Sequence, residues 1–253
     1  MVDITFDSQR CIQCGLCVSI CAMGHLRMTE AGPAATGRGA CMGCLQCAAV
    51  CPQTAILCNG RSAVSPRPEE PVEALILSRR STRKFRPEPP ERELLQWALD
   101  CSAYAPSGKN RHDNRFTVVY GRDKVRALYD LAVQHCRDTG EAPELARFAD
   151  KGLDLLTCGA PALIIGWSPD DCLNPTVDAA VAMATVDLLL VSRGLGTCWG
   201  GYIRQLTGHC PAMREYLGIP EGCSMRCRLM VGFPAGPKFL NIPARPPVEA
   251  RWV

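Results

Sequence analysis

Seventeen cysteines occur in this chain of 253 residues, and eight of them fall into two runs of one pattern. The first run is Cys11-x2-Cys14-x2-Cys17-x3-Cys21, and the second is Cys41-x2-Cys44-x2-Cys47-x3-Cys51, closed by Pro52. Thiolates are soft ligands, suited to iron–sulfur centres and to zinc. A structural zinc site takes four ligands, commonly two separated C-x2-C pairs. Here a third cysteine follows each pair at the same short interval and a fourth comes soon after, twice over, which favours [4Fe–4S] centres with zinc as the alternative. Such centres carry electrons but do not say what receives them.

The repeated run resembles that of bacterial ferredoxins with two clusters, in which the fourth cysteine of each run crosses to the other cube. The resemblance implies one [4Fe–4S] cluster on Cys11, Cys14, Cys17 and Cys51, and a second on Cys41, Cys44, Cys47 and Cys21. Around them, Ile4 to Phe6 reads as a strand, each run ends in a short helix, and Ala55 to Leu57 reads as the returning strand. Gly15 and Gly43 permit tight turns among the thiolates. Residues 1–60 are then a small pseudo-twofold unit held together by its clusters rather than by a large core. The other nine cysteines (Cys58, Cys101, Cys136, Cys158, Cys172, Cys198, Cys210, Cys223 and Cys227) lack a ligand-like repeat and read mostly as small core residues. His25, shortly after Cys21, reads as a loop histidine, with cluster tuning as the alternative.

The second chemically informative stretch is Ser78-Arg79-Arg80-Ser81-Thr82-Arg83-Lys84-Phe85. Guanidinium forks give bidentate, charge-assisted hydrogen bonds, and hydroxyls fill remaining lone pairs, so this composition suits a phosphate monoester. The alternative is an exposed basic helix end that complements the helix dipole. No Gly-x-Gly-x-x-Gly follows a strand and no Walker A sequence is present, so a phosphate is not held in either of those ways. No Ser/His/Asp arrangement offers a nucleophile, and no catalytic side chain is assigned.

Residues 61–70 are rich in proline and read as an extended linker. Helices are expected over 72–80, from Pro90 to Cys101, over 124–137, over 143–157 and over 178–192, with core strands over 116–120, 161–167 and 225–233. The helix at 178–192 is apolar nearly all round, which places it centrally or at a subunit interface. Composition is ordinary for a globular protein, with 47% hydrophobic and 21% charged residues, and a net charge of +3 is too small to imply nucleic acid. There is no uninterrupted apolar run of about 18 residues and no export signal, so neither membrane insertion nor secretion is expected. Abundant cysteine then implies a reducing cytoplasm rather than a disulfide framework.

Residues 71–253 resemble the FMN-dependent nitroreductase family, and the whole chain resembles its members with an N-terminal two-cluster ferredoxin domain. Three blocks carry the likeness: Arg79-Arg80-Ser81-Thr82-Arg83 with Phe85, Ala105-Pro106-Ser107-Gly108-x-Asn110, and Gly194-Leu195-Gly196-Thr197-x-Trp199-x-Gly201. A weaker fourth is Val231-Gly232-Phe233-Pro234 with Arg245-Pro246. The resemblance implies an α+β fold, a mixed sheet flanked by helices, in an intertwined homodimer with FMN at the interface. It implies that Arg79, Ser81 and Arg83 hold the phosphate and ribityl chain with Arg80 close by, and that Arg245 closes on the phosphate. Ser107 and Asn110 would contact the isoalloxazine, and Trp199, Gly200 and Gly201 would line the ring. Where the family often reads Gln-Pro-Trp, this chain has His112-Asp113-Asn114, a departure at the flavin's pyrimidine edge. His112 is open to two readings, a proton donor or a structural loop residue.

Joined, the modules imply an oxidoreductase in which two clusters relay electrons to FMN, which reduces a small organic acceptor such as a nitroaromatic or quinone. Reduced ferredoxin is the expected donor, with NAD(P)H second, because a ferredoxin domain would be superfluous if hydride reached the flavin directly. A non-turnover electron-transfer or redox-sensing module, and another flavin reduction such as dehalogenation or conjugated-bond reduction, remain as alternatives.

Overall fold

A computed structural model of the chain describes residues 2–36 and 41–253. In chain order the elements are β1 (Ile4–Phe6), α1 (Leu16–Ile20), β2 (Leu26–Thr29), β3 (Gly32–Ala35), α2 (Gln46–Val50), β4 (Ile56–Cys58), β5 (Arg61–Ser62), β6 (Val64–Ser65), α3 (Pro71–Ser78), α4 (Arg92–Cys101), β7 (Arg115–Tyr120), α5 (Arg122–Thr139), α6 (Pro143–Asp150), β8 (Ala162–Pro169), α7 (Pro175–Ser192), β9 (Gly196–Trp199), α8 (Tyr202–Thr207), α9 (Pro211–Leu217), β10 (Cys223–Gly232) and β11 (Ile242–Pro243). They form two compact units, one of Met1–Arg80 with Gly236–Val253 and one of Ser81–Ala235.

In the first unit β1 pairs antiparallel with β4, and β2 with β3. Each cysteine run needs left-handed backbone on both sides of its second cysteine. The first run uses Gln13 (φ 53°) and Gly15 (φ 75°), the second Gly43 (φ 64°) and Leu45 (φ 55°). Glycine thus relieves one of the two positions in each run, and a strained side chain occupies the other. The small core is Ile4, Leu26, Leu45, Ala48, Ile56 and Ala63 with the cysteines around it.

The expected linker is not a free connector. β5 pairs with β4, and β6 pairs with β11 of the C-terminal tail, Ile242 opposite Ser65 and Pro243 opposite Val64. The tail also closes the end of α2, where Ala48 O takes the Cys51 N–H and further donors are needed for the last carbonyls. Leu240 N and Asn241 N donate to Ala49 O at 2.7 and 3.0 Å, and Asn241 Nδ2 donates to Ala48 O and Cys51 O at 3.1 and 2.7 Å. By compactness the units divide after residue 80 and after residue 235, so residues 61–70 lie inside the first of them.

The second unit is built on a four-stranded sheet in the order β7-β8-β10-β9, its pairs antiparallel, with a parallel bridge from Ser81 to Thr197 of β9. β8 is apolar almost throughout because both of its faces are covered. Ala162 and Ile164 pack with Leu95, Met183, Val186 and Leu190 of α4 and α7. Leu163 and Ile165 pack with Leu128, Ala132, Ile203 and Met213 of α5, α8 and α9. α6 stops at Asp150, short of the expected 157, because Gly152 turns left-handed (φ 71°) and Asp154 takes the N–H groups of Leu156, Thr157 and Gly159. By length and composition α7 is apolar enough to cross a membrane, yet its buried residues include Asp178 and Asp187, and Ala179, Met183, Val186 and Leu190 belong to the core just described.

Away from these features, Glu141 joins the end of α5 to the α8–α9 turn. It meets His135 Nε2 at 3.1 Å and His209 Nδ1 at 3.0 Å, and these hydrogen bonds hold its carboxyl below the ordinary range. A carboxylate whose folded pKa is lowered contributes stability above its unfolded pKa and loses it as pH falls through the folded value. Glu141→Gln should therefore melt below wild type at neutral pH, and the gap should close as pH falls past about 4; paired thermal melts across that range check this.

Candidate functional site

Two apolar cavities lie in the first unit. Cys11, Cys14, Cys17 and Cys51 line one, with Phe6 and Ile56 behind them. Cys21, Cys41, Cys44 and Cys47 line the other, with Ile4 and Leu26. The eight thiols are thus brought together in two sets of four. Among the described residues, no three His, Cys, Asp or Glu side chains converge as a single metal ion would need. Thiols spaced around a cavity fit a cluster held at its corners better than they fit zinc. The fourth cysteine of each run is treated alike: His25 N donates to Cys21 Sγ and Ala55 N to Cys51 Sγ, both at 3.3 Å. Burial pushes the Cys17 thiol up to about 11 and Cys47 up to about 12, so without a metal both stay protonated at neutral pH.

The basic stretch straddles the division between the units, with Arg79 and Arg80 in the first and Ser81, Thr82 and Arg83 in the second. Arg80 turns back on α3: Nη1 donates to Arg79 O at 2.7 Å and Nη2 to Leu77 O at 2.8 Å, satisfying carbonyls at the helix end. Burial pushes its pKa down to about 10, and the charges of Arg245 and Arg79 add to that. Arg245 is held on the second cysteine run, Nη1 on Gly43 O at 2.9 Å and Nη2 on Cys44 O at 3.0 Å.

In the second unit, Thr82 N donates to Thr197 O at 2.7 Å, and the buried Thr82 side chain lies against Gly196, where an added Cβ would come within 2.6 Å of Oγ1. This contact fixes Ser81 and Arg83 beside β9. Arg83 Nη1 is buried without a hydrogen-bond partner. A buried cationic donor left unpaired is costly, and an anion would satisfy it. A second guanidinium stands nearby in the same unit. Arg228 of β10 is 1% exposed, donates from Nη1 to Leu156 O at 2.6 Å, and leaves Nε unpaired. Burial pushes its pKa down to about 10. Burial also pushes the Cys158 thiol up to about 11, against the opposing charges of Arg83 and Arg228. A Cβ at Gly200 would fall 1.4 Å from Arg228 Nη2, whereas Gly201 faces open space. Gly200 is therefore required by the guanidinium packed on it. Sequence reasoning missed Arg228; the available signal was a cation between Cys227 and Leu229 in an otherwise apolar core strand.

The other two sequence blocks are positioned by α7. Asp178 and Asp187 are nine residues apart, about half a turn around the axis, and so sit at opposite edges of the buried stripe. Asp178 accepts the Gly108 N–H on both oxygens, at 3.1 and 3.0 Å. Asp187 accepts Thr197 Oγ1–H at 2.5 Å and Trp199 Nε1–H at 2.8 Å. Asp187→Ala would leave both donors without this acceptor, and an expected loss of about 1–3 kcal/mol is measurable by denaturant unfolding. The loop after α4 closes on itself: Ser107 Oγ accepts His112 N–H at 3.0 Å, and Asn110 Oδ1 meets His112 Nε2 at 2.8 Å. Lys109, Asn110 and His112 are all left-handed. Ser107, His112, Asn114 and Asp178 line a cleft of about 300 Å³, in which Asn114 Oδ1 is buried without a partner. His112 is hydrogen-bonded within the loop and also lines the cleft, so two of the three residues that replace Gln-Pro-Trp supply the cleft wall.

The described geometry has counterparts among known proteins. The Nitroreductase family matches residues 76–233, and a 4Fe-4S dicluster domain matches residues 10–56. The chain is 27% identical over 221 residues to the 4-nitrobenzoate reductase of Nocardioides sp. (strain LMS-CY), covering 71% of this chain and 88% of that one. A nitroreductase with bound FMN from Desulfitobacterium hafniense DCB-2 has a similar fold (TM-score 0.61, 24% identity, 74% of this chain and 100% of that chain). A second, from Bacteroides fragilis NCTC 9343, gives a TM-score of 0.59 at 25% identity over 73% of this chain and 97% of that chain. The family match takes in the basic stretch, every strand of the four-stranded sheet and both aspartates of α7; the chain belongs to the Nitroreductase family of oxidoreductases and carries an N-terminal 4Fe-4S dicluster domain.

Proposed function

We propose that the protein is an iron–sulfur flavoprotein oxidoreductase. Two [4Fe–4S] clusters, one on each set of four thiols, pass electrons by way of FMN to a small organic acceptor of nitroaromatic or quinone type. The observation that carries the reading is the sorting of eight cysteines around two separate apolar cavities in a chain whose larger part belongs to the Nitroreductase family. The solved relatives with bound FMN, and the unpaired buried nitrogen of Arg83, support the flavin. Bound there, FMN supplies a centre that exchanges electrons singly or in pairs.

In this reading Arg83 and Ser81 hold the phosphate. Ser107 and Asn110 address the ring, whose other wall is the backbone of Trp199 to Gly201. Asp187 fixes the indole that bounds this wall, and Arg228 places a permanent positive charge behind Gly200. No side chain acts as a nucleophile. A homodimer completes the site, and a low-potential donor such as reduced ferredoxin is favoured over NAD(P)H.

Anaerobic purification should yield about eight iron and eight sulfide per chain together with FMN. Zinc in place of iron would overturn the cluster half of the reading. The relay itself is tested by stopped-flow with Cys14→Ala plus Cys44→Ala: flavin reduction by the ferredoxin-type donor should collapse. Rapid reduction by NADPH in that variant would remove the case for a relay, and absence of turnover with every nitroaromatic and quinone acceptor would favour a sensing module.

A further inference from the structure

We infer that the C-terminal tail makes the two clusters unequal: Arg245 fixes a positive charge on the Cys41–Cys47 loop, so the cluster held by Cys21, Cys41, Cys44 and Cys47 is the easier of the two to reduce. The inference rests on the two-cluster reading above. It starts from the internal symmetry of the first unit. Gln13 and Cys14 in the first run match Gly43 and Cys44 in the second, with left-handed backbone at both Gln13 and Gly43. The surroundings of the two runs differ. Arg245 places both terminal nitrogens on the second run, at Gly43 O and Cys44 O. Arg80, half-buried, adds its charge beside Arg245 and Cys44. At the first run the comparable cation is Arg10, which is exposed, reaches Thr54 Oγ1, and shares its turn with the Asp7 carboxylate that accepts its backbone N–H. Arg245 is exposed like Arg10, so the runs differ in number and partners: the second has two guanidiniums, one of them on its carbonyls, and the first a single cation offset by an acid.

Reduction adds one negative charge to a cluster, so a nearby fixed cation favours the reduced form. Peptide geometry works in the same direction. In a trans peptide the N–H points opposite to the C=O. Holding Gly43 O and Cys44 O on Arg245 therefore sets the N–H groups of Cys44 and Leu45 facing away from the tail. An electron entering on either cluster then comes to rest mainly on the second.

The test is an anaerobic redox titration of the full-length, cluster-loaded protein followed by electron paramagnetic resonance, which reads each cluster without turnover. Arg245→Gln should reduce the reduced-to-oxidised ratio of one cluster about tenfold at a fixed ambient potential, a shift of about 59 mV for a one-electron couple, with little change in the other. Arg245→Lys keeps the charge without the fork and should stay close to wild type. Arg80→Gln, which leaves the loop's hydrogen bonds to Arg245 in place, should shift the same cluster in the same direction. Equal shifts of both clusters, no shift in either Gln variant, or a Lys variant that behaves like Gln would overturn the inference. Should Arg245→Gln fail to retain iron, an unmoved Arg80→Gln protein overturns it. Failure of the underlying reading is distinguishable, because wild type would then lack two separate cluster signals before any substitution is made.

Discussion

Arg83→Met should weaken FMN binding by about a hundredfold to a thousandfold and leave the flavin-free protein no less stable than wild type. The two halves of this result have one cause. In the absence of an anion, Arg83 Nη1 is buried with no acceptor, so replacing the guanidinium by an apolar chain removes a desolvated donor and breaks no hydrogen bond made by that nitrogen. With phosphate present, the same group contributes one or two charge-assisted bonds. At roughly 1.5–3 kcal/mol each these amount to about 1.5–6 kcal/mol; the middle of that range, about 3–4 kcal/mol, is two to three factors of ten in affinity at about 1.4 kcal/mol each. Arg83→Lys should recover part of the affinity, since it restores the charge but not the planar fork. Flavin fluorescence during equilibrium dialysis measures the first half, and thermal melts of the flavin-free protein the second. Undiminished FMN retention by Arg83→Met would remove this residue from the site.

Arg228 gives the contrasting case. It is as cationic as Arg83 and more deeply buried, but it already donates to Leu156 O and fills the space against Gly200. Arg228→Met leaves that carbonyl unpaired in flavin-free and flavin-bound protein alike, so its cost should appear in both melts. The difference between the two arginines lies in their partners, and sequence does not display partners.

That distinction also marks how far the sequence could be read. The cysteines lining each of the two cavities are those the ferredoxin resemblance groups together, since the pattern depends on local spacing and one crossing. The core strand β8 was legible because a sheet buried on both faces leaves an almost unbroken apolar run. The reason for Gly196 was not legible: it opens a strand and is small because Thr82 packs on it. Asp178 and Asp187 lie on a helix read as apolar nearly all round, yet Asp178 holds Gly108 and Asp187 holds Thr197 and Trp199. The pairing of the expected linker was hidden for a related reason. Proline content describes the local chain, whereas β6 and the tail are fixed by pairing between residues far apart in sequence. Arg245 is the extreme instance, since its acceptor Gly43 lies 202 positions away and no periodicity connects them.

Ending the chain after Ala235 is therefore expected to cost the protein its iron. The first unit has a small core, and α2 is only five residues long, too short to stand without tertiary partners. The tail supplies those partners. Leu240, Asn241 and Arg245 together donate six hydrogen bonds to Gly43, Cys44, Ala48, Ala49 and Cys51, and Ala244 N adds a bond to Ala63 O. At a net of about 0.5–1.5 kcal/mol each, their loss is comparable with the whole stability of a small domain. The sheet of the second unit, by contrast, lies wholly within Ser81–Ala235 and keeps its strands. Iron and sulfide per chain should fall towards zero while far-ultraviolet circular dichroism retains most of its helix signal. Asn241→Ala in the full chain is the graded version: it removes the bonds to Ala48 O and Cys51 O, about 2 kcal/mol, and should leave clusters in place that are lost faster to a chelator. A truncated protein that keeps both clusters would mean that the cysteine runs hold their shape without the tail, and would transfer the stability assigned to these hydrogen bonds to the iron–sulfur bonds themselves.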